Sequence, residues 1–238
     1  MFVKKILFPL VMLLGAVLFL GLPSEMKATT ITFGNVVSGS GDITTAGLGA
    51  NAQLANSGVT CGAHPSATNL GICDMVFQTL TITGAPTAST NTSYTPLNLY
   101  EQYNATTNTL TVYGSIGGCA TCSNLPGFTV ATTLVTIVFS SNLTGNATAS
   151  TFSLNPFPSV NSITVNSTLL SDIGASGPFF LNVLTATGNA DSAVGGNYRT
   201  TSGSLVLTDV APEPGSAVLT TLGLAALILG SRKRFSKR

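Results

Sequence analysis

Charge is what this chain has least of. Asp, Glu, Lys and Arg make up 7% of its 238 residues, against about 25% in ordinary globular domains. Between residues 29 and 210 there is one base, Arg199, against six acids, Asp42, Asp74, Glu101, Asp172, Asp191 and Asp209, a net charge of −5. A weakly acidic body with one arginine lacks the basic face that nucleic-acid binding requires. Tryptophan is absent, and histidine occurs once, at His64. A lone imidazole in a Cys-rich segment gives no sign of a nucleophile with its base. Glycoside hydrolysis needs two acids flanking one bond; Asp74, Glu101 and Asp172 are present, but nothing in their spacing selects a pair. Gly188-Asn189-Ala190-Asp191 is too thin to make a calcium loop and reads as a turn. The expectation is a protein that is not an enzyme and holds neither cofactor nor metal.

Long apolar runs are also missing from the middle and confined to the two ends. Lys4 and Lys5 precede an apolar stretch from Ile6 to Leu22, the order of a secretory signal peptide, with Ala28 as a cleavage position and residues 1–28 as the signal. Met26, three residues before the cut, is larger than such sites favour, so an uncleaved anchor is the alternative. The exported part is then residues 29–210, long enough for one β domain.

What fills that part is Thr, Ser, Asn, Gly and β-branched residues in alternation. Strands are expected at residues 30–33, 76–83, 109–116, 128–140, 162–170, 179–187 and 204–210, separated by Gly, Pro, Asn and Ser clusters. Alternation is clearest at Leu80-Thr81-Ile82-Thr83 and Ile163-Thr164-Val165-Asn166, which read as half-buried antiparallel strand. The denser run 134–139 is the candidate for a central strand. Residues 34–58 read as a hairpin or long loop, 84–96 and 140–158 as long polar connections, and no helix is expected between the ends. The class is all-β, an antiparallel β-sandwich or jelly roll. Asn91, Asn104, Asn142, Asn146 and Asn166 each open an Asn-x-Ser/Thr triplet, a pattern that arises by chance in so Asn- and Thr-rich a chain.

Four cysteines, Cys61, Cys73, Cys119 and Cys122, fall in the exported part, an even count that reads as two disulfides in an oxidising compartment. Neighbour pairing, Cys61–Cys73 and Cys119–Cys122, comes first, with bridges between the two segments open. Closing the first loop would contribute on the order of 2–3 kcal/mol. Zinc held by these cysteines with His64 is the rival, in an uncommon ligand order. Tyr94, Tyr100, Tyr103 and Tyr113 cluster in one region, and aromatic faces of this kind can stack on sugar rings; the alternative is ordinary core tyrosine.

The last 28 residues, 211–238, differ from the rest. Pro212-Glu213-Pro214 is followed by Gly215 and Ser216, an uncharged apolar run to Gly230, and five cations, Arg232, Lys233, Arg234, Lys237 and Arg238. The two prolines fix their φ angles and hold Glu213 in an extended segment. The apolar run approaches spanning length when its small flanks and the stem of Arg232 are included, and the cations favour the cytoplasmic side. The segment resembles the PEP-CTERM sorting domain. That resemblance implies recognition of the tripeptide by an exosortase, a membrane-embedded protease/transpeptidase, with the tail removed and the protein passed to the surface of a Gram-negative, exopolysaccharide-producing host. An ordinary C-terminal transmembrane anchor is the alternative.

The whole is therefore expected to be an exported, surface-sorted envelope or extracellular-matrix protein, with a polysaccharide-binding β module as the alternative. Its expected partners are the secretion machinery with signal peptidase, the exosortase, the membrane through the C-terminal helix before processing, and, in the alternative, exopolysaccharide.

Overall fold

Period-two sequence becomes a sheet of thirteen strands in the computed structural model, whose described residues are 28–56, 70–84, 92–94, 96–116, 128–175, 177–191 and 197–210. They all lie within one compact unit, Lys27–Ala211. In chain order the strands are β1 (Thr30–Val36), β2 (Asp42–Thr44), β3 (Gly49–Gln53), β4 (Ile72–Thr83), β5 (Thr92–Tyr94), β6 (Pro96–Asn104) and β7 (Thr109–Ile116). There follow β8 (Phe128–Phe139), β9 (Thr144–Ala147), β10 (Thr151–Leu154), β11 (Val160–Val165), a helix α1 (Ser167–Ile173), β12 (Phe179–Ala190) and β13 (Asn197–Asp209). Every strand pairing is antiparallel, so the protein is all-β in class. Among the described residues no helix is long and apolar enough to cross a membrane; the expected signal (1–28, all but its last residue) and anchor (211–238) lie outside them.

The sheet runs β11-β8-β7-β6-β4-β1-β13-β12-β10-β9-β3. β1 and β2 lie end to end in one slot, each flanked by β4 and β13. The turn between them is stitched to both neighbours: the Val37 amide donates to the Val76 carbonyl at 2.9 Å and the Gly39 amide to the Thr200 carbonyl at 2.6 Å. The sheet curls, bringing its end strand β11 alongside β12. Alternate side chains therefore converge on one interior, in which Ile31 and Phe33 (β1), Leu80 and Ile82 (β4), Val135 and Ile137 (β8), and Leu205 and Leu207 (β13) are buried. Residues of the opposite parity are mostly Thr and Ser, and hydroxyls pair across strands, as between Thr185 and Ser204 (2.9 Å) and between Thr187 and Ser202 (2.7 Å). Such pairs give a solvent-facing sheet polarity without charge.

Four expectations are corrected. The connection expected at 84–96 holds strand β5, and Gly188, Asn189 and Ala190, expected in a turn, end β12. The strand expected at 162–170 ends at Val165 and gives way to helix α1. Asn166 caps it, its Oδ1 accepting from the amides of Thr168 and Leu169 at 2.9 and 3.3 Å, and Gly174 closes it at φ 69°. Cap and glycine frame about two turns of helix, enough to bury Leu169 and Ile173, and these local signals override the β-branched alternation just before them. The polar connection expected at 140–158 holds the hairpin β9–β10, where the Thr148 hydroxyl accepts from the amides of Ser150 and Thr151 and closes the turn. Three of the Asn-x-Ser/Thr asparagines prove to be structural: Asn166 caps α1, Asn104 Oδ1 accepts from the Thr106 and Thr107 amides, and Asn142 bonds Leu54 and Tyr103.

Candidate functional surface

Strand β6 carries the tyrosines and sorts them by alternation. Leu99, Glu101 and Tyr103 point inward and are fully buried, while Tyr100 is half-buried on the outer face. Tyr103 sits between Ile72 of β4 and Leu110 of β7. Its hydroxyl donates to Asn142 Oδ1 at 2.7 Å and accepts from the Leu143 amide at 3.0 Å; burial pushes its pKa up, partly offset by that amide. Asn142 in turn donates to the Leu54 carbonyl at 2.7 Å. Tyr103 is thus a core tyrosine and is withdrawn as a sugar contact, because its ring lies on the wrong side of the sheet. Tyr100 and Tyr113 are direct cross-strand partners on the outer face, with Val76 and Thr133 continuing the row. Tyr94 belongs to β5, opposite Leu80.

Two further positions matter. β4 has a bulge at Cys73-Asp74, where Ile72 pairs with Tyr103 and Met75 with Glu101, and Asp74 takes φ 54°. The bulge turns Asp74 outward, where Gln102 Nε2 donates to its Oδ1 at 2.7 Å. Cys73 is disulfide-bonded; Cys61, Cys119 and Cys122, with His64, lie outside the described residues, as does the sorting tripeptide Pro212-Glu213-Pro214. Next to the bulge, Arg199 of β13 bridges two acids, its Nε lying 3.3 Å from Asp42 Oδ1 and 3.1 Å from Asp191 Oδ2. Burial raises the pKa of Asp42; Arg199 opposes this, and Asp191 and Asp74 add to it. With its side chain 52% exposed, Arg199 gives this bridge roughly 1 kcal/mol at most. The single base of the exported part is thereby occupied in holding β2, β13 and the end of β12 together.

No known protein family, curated protein or solved structure matches the chain. Chemistry must then be read from the groups themselves. Of the three acids considered for hydrolysis, Glu101 is sealed in the interior, Asp74 is on the other face of the sheet, and Asp172 falls on α1. Among the described residues, no three of His, Cys, Asp and Glu are grouped to hold a metal ion. The outer row Val76-Tyr100-Tyr113-Thr133 carries two aromatic rings and three hydroxyls and no charge. Sequence reasoning missed the Arg199 bridge; the scarcity of bases was the available signal, since a single arginine among six acids seldom stays unpaired. It also missed that Glu101 is buried, which alternation with Leu99 and Tyr103 could have suggested.

Proposed function

We propose that the chain is an exported, surface-sorted, non-enzymatic protein of the cell envelope or extracellular matrix. An N-terminal signal would carry it across the inner membrane, and a C-terminal helix would hold it there until an exosortase acts at Pro212-Glu213-Pro214. The curled sheet supports a jelly-roll or sandwich domain as the cargo, with Cys61–Cys73 and Cys119–Cys122 as its disulfides. The single observation that carries the proposal is the order of parts at the C-terminus: a proline-held acid, small residues, an uncharged apolar run and a cationic end. An all-β body that is nearly free of charge and satisfied by hydroxyls and amides suits a passive structural role. Glu213→Ala should leave the β domain folded but strand the protein at the inner membrane, as read by cell fractionation and surface labelling. A normal amount of the variant at the surface would remove exosortase recognition from the proposal.

A second role, binding of a neutral polysaccharide, is favoured by one observation, the juxtaposition of Tyr100 and Tyr113 across β6 and β7. The double variant Tyr100→Ala/Tyr113→Ala should lose retention on immobilised host exopolysaccharide by about tenfold, equivalent to roughly 1.4 kcal/mol. Unchanged retention, or none by the unaltered protein, leaves the structural role alone.

A further inference from the structure

One of the six acids in the exported part is enclosed by the sheet with nothing to answer it. Glu101 is 0% exposed, and neither carboxyl oxygen has a hydrogen-bond partner. Its strand is paired on both sides, with Met75 of β4 and Val112 of β7 directly opposite. Leu99 and Tyr103 follow on the same face of β6, and all four neighbours are fully buried. The carboxyl therefore cannot swing to solvent without β6 leaving its neighbours.

Among the described residues no titratable or charged group stands ready to balance it. On β4 and β7 the inward neighbours Met75, Phe77, Leu110 and Val112 are apolar. On β6 itself Tyr103 is engaged with Asn142 and Leu143, and on β13 the Tyr198 hydroxyl donates to the Thr148 carbonyl at 2.7 Å. The core-lining residues of β1, β8, β12 and α1 are apolar, and the buried residues among those described include no base and no second acid. An ionised carboxylate here would be an uncompensated buried charge, the costliest thing a core can contain.

We infer that Glu101 is a proton-operated lock on the sheet: the fold carries its carboxyl as the neutral acid, and alkaline pH loosens β4, β6 and β7 by ionising it. Burial pushes the Glu101 pKa up from 4.5 to about 8, in keeping with that geometry. The direction follows from proton counting. Below pH 4.5 the group is protonated both folded and unfolded and contributes no pH dependence. Between 4.5 and about 8 the unfolded chain loses the proton and the folded chain keeps it, so each rise in pH favours unfolding. Above that range the folded state itself ionises and the loss levels off. Stability is thus complete at acid pH and withdrawn as pH rises, the reverse of the usual salt-bridged acid. The lock is independent of where the protein is sent.

The test is urea unfolding of the full chain in detergent micelles, followed by far-UV circular dichroism from pH 5 to pH 9, for the unaltered protein, Glu101→Gln and Glu101→Leu. The unfolding constant of the unaltered protein should rise by up to about tenfold per pH unit between pH 5 and 8, and by about three orders of magnitude in all. Both variants should lose that slope, and Glu101→Leu should be the more stable protein at pH 9. Parallel curves for all three would overturn the inference. So would failure of both variants to fold at pH 5, since it would mean that the carboxyl makes an interaction the core needs.

Discussion

Tyr103→Ala should cost on the order of 5 kcal/mol of unfolding free energy, a large share of the roughly 5–15 kcal/mol by which native domains are stable. Two losses combine. Removing a fully buried ring from between Ile72 and Leu110 leaves a cavity, and truncations of large aromatic residues cost roughly 3–5 kcal/mol. The ring also packs edge-on against Phe139, with centroids 6.3 Å apart. Removing the hydroxyl then strands Asn142 Oδ1 and the Leu143 amide, each costing about 1–3 kcal/mol if left without a partner. Tyr103→Phe separates the two, since it keeps the ring and should cost only about 1–3 kcal/mol. The measurement is chemical unfolding of both variants by far-UV circular dichroism, because a chain without tryptophan gives a weak fluorescence signal. A Tyr103→Ala protein as stable as Tyr103→Phe would mean that the ring does not fill the core as described.

The effect should reach beyond β6. The Tyr103 hydroxyl holds Asn142, Asn142 holds the Leu54 carbonyl, and the Leu54 amide donates to the Leu143 carbonyl at 3.0 Å. Asn56 ties the same corner to the β6–β7 turn, its Oδ1 accepting from the Ala105 amide at 2.8 Å. One phenol thus anchors the segment after β3, the segment after β8 and the turn after β6. These segments are far apart in sequence, and their shared polar corner is where the curled sheet is held closed at this end. Of the two readings open for Tyr103, a sugar-stacking face and an ordinary core tyrosine, the second holds.

That outcome marks where the sequence was legible. β4 at Leu80-Thr81-Ile82-Thr83 was readable because side-chain parity matched burial without interruption, and β8 at 134–139 because its apolar run is dense, although Leu134 and Val135 are both buried across a bulge. β6 was not, because Pro96-Leu97-Asn98-Leu99-Tyr100-Glu101-Gln102-Tyr103-Asn104 mixes a proline, two asparagines and an acid into a strand that its neighbours make buried. Tertiary context overrides propensity there: β6 lies between two long strands and is held by both. The short strands β2, β3, β9 and β10 escaped for a different reason. They are three to five residues long, too short for a period to register. Run 134–139 was expected to be central and is interior, but it lies only one place from the end of the sheet. Of the candidate site, the Tyr100–Tyr113 pairing could not be read, since it depends on the register of a strand that was not foreseen.

Gly41→Ala should be the other severe change, costing about 3 kcal/mol or more through the addition of a single methyl group. A Cβ built at Gly41 would lie 2.6 Å from the Met75 amide nitrogen and 2.7 Å from both the Cys73 carbonyl oxygen and the Met75 Cα. These are backbone atoms, so no rotamer change can relieve the contact. The approach is this close because the β4 bulge, with Asp74 at φ 54°, carries the chain of β4 toward the start of β2. β2 cannot retreat the other way, since the Gly41 amide donates to Thr200 Oγ1 at 3.1 Å and its carbonyl accepts from the Thr200 amide at 2.9 Å. Relief requires parting β2 from β4 or β13, which would also disturb the Asp42–Arg199 contact in the next residue pair. Gly39→Ala is the control: φ is 78° but no atom lies within 4 Å of the added carbon, so only local backbone strain of about 1–2 kcal/mol is expected. Thermal unfolding of the two variants side by side should therefore rank Gly41→Ala well below Gly39→Ala. Equal melting temperatures would show that β2 is not wedged between β4 and β13, and that the interrupted strand is a loose flap on the sheet, with no part in its continuity.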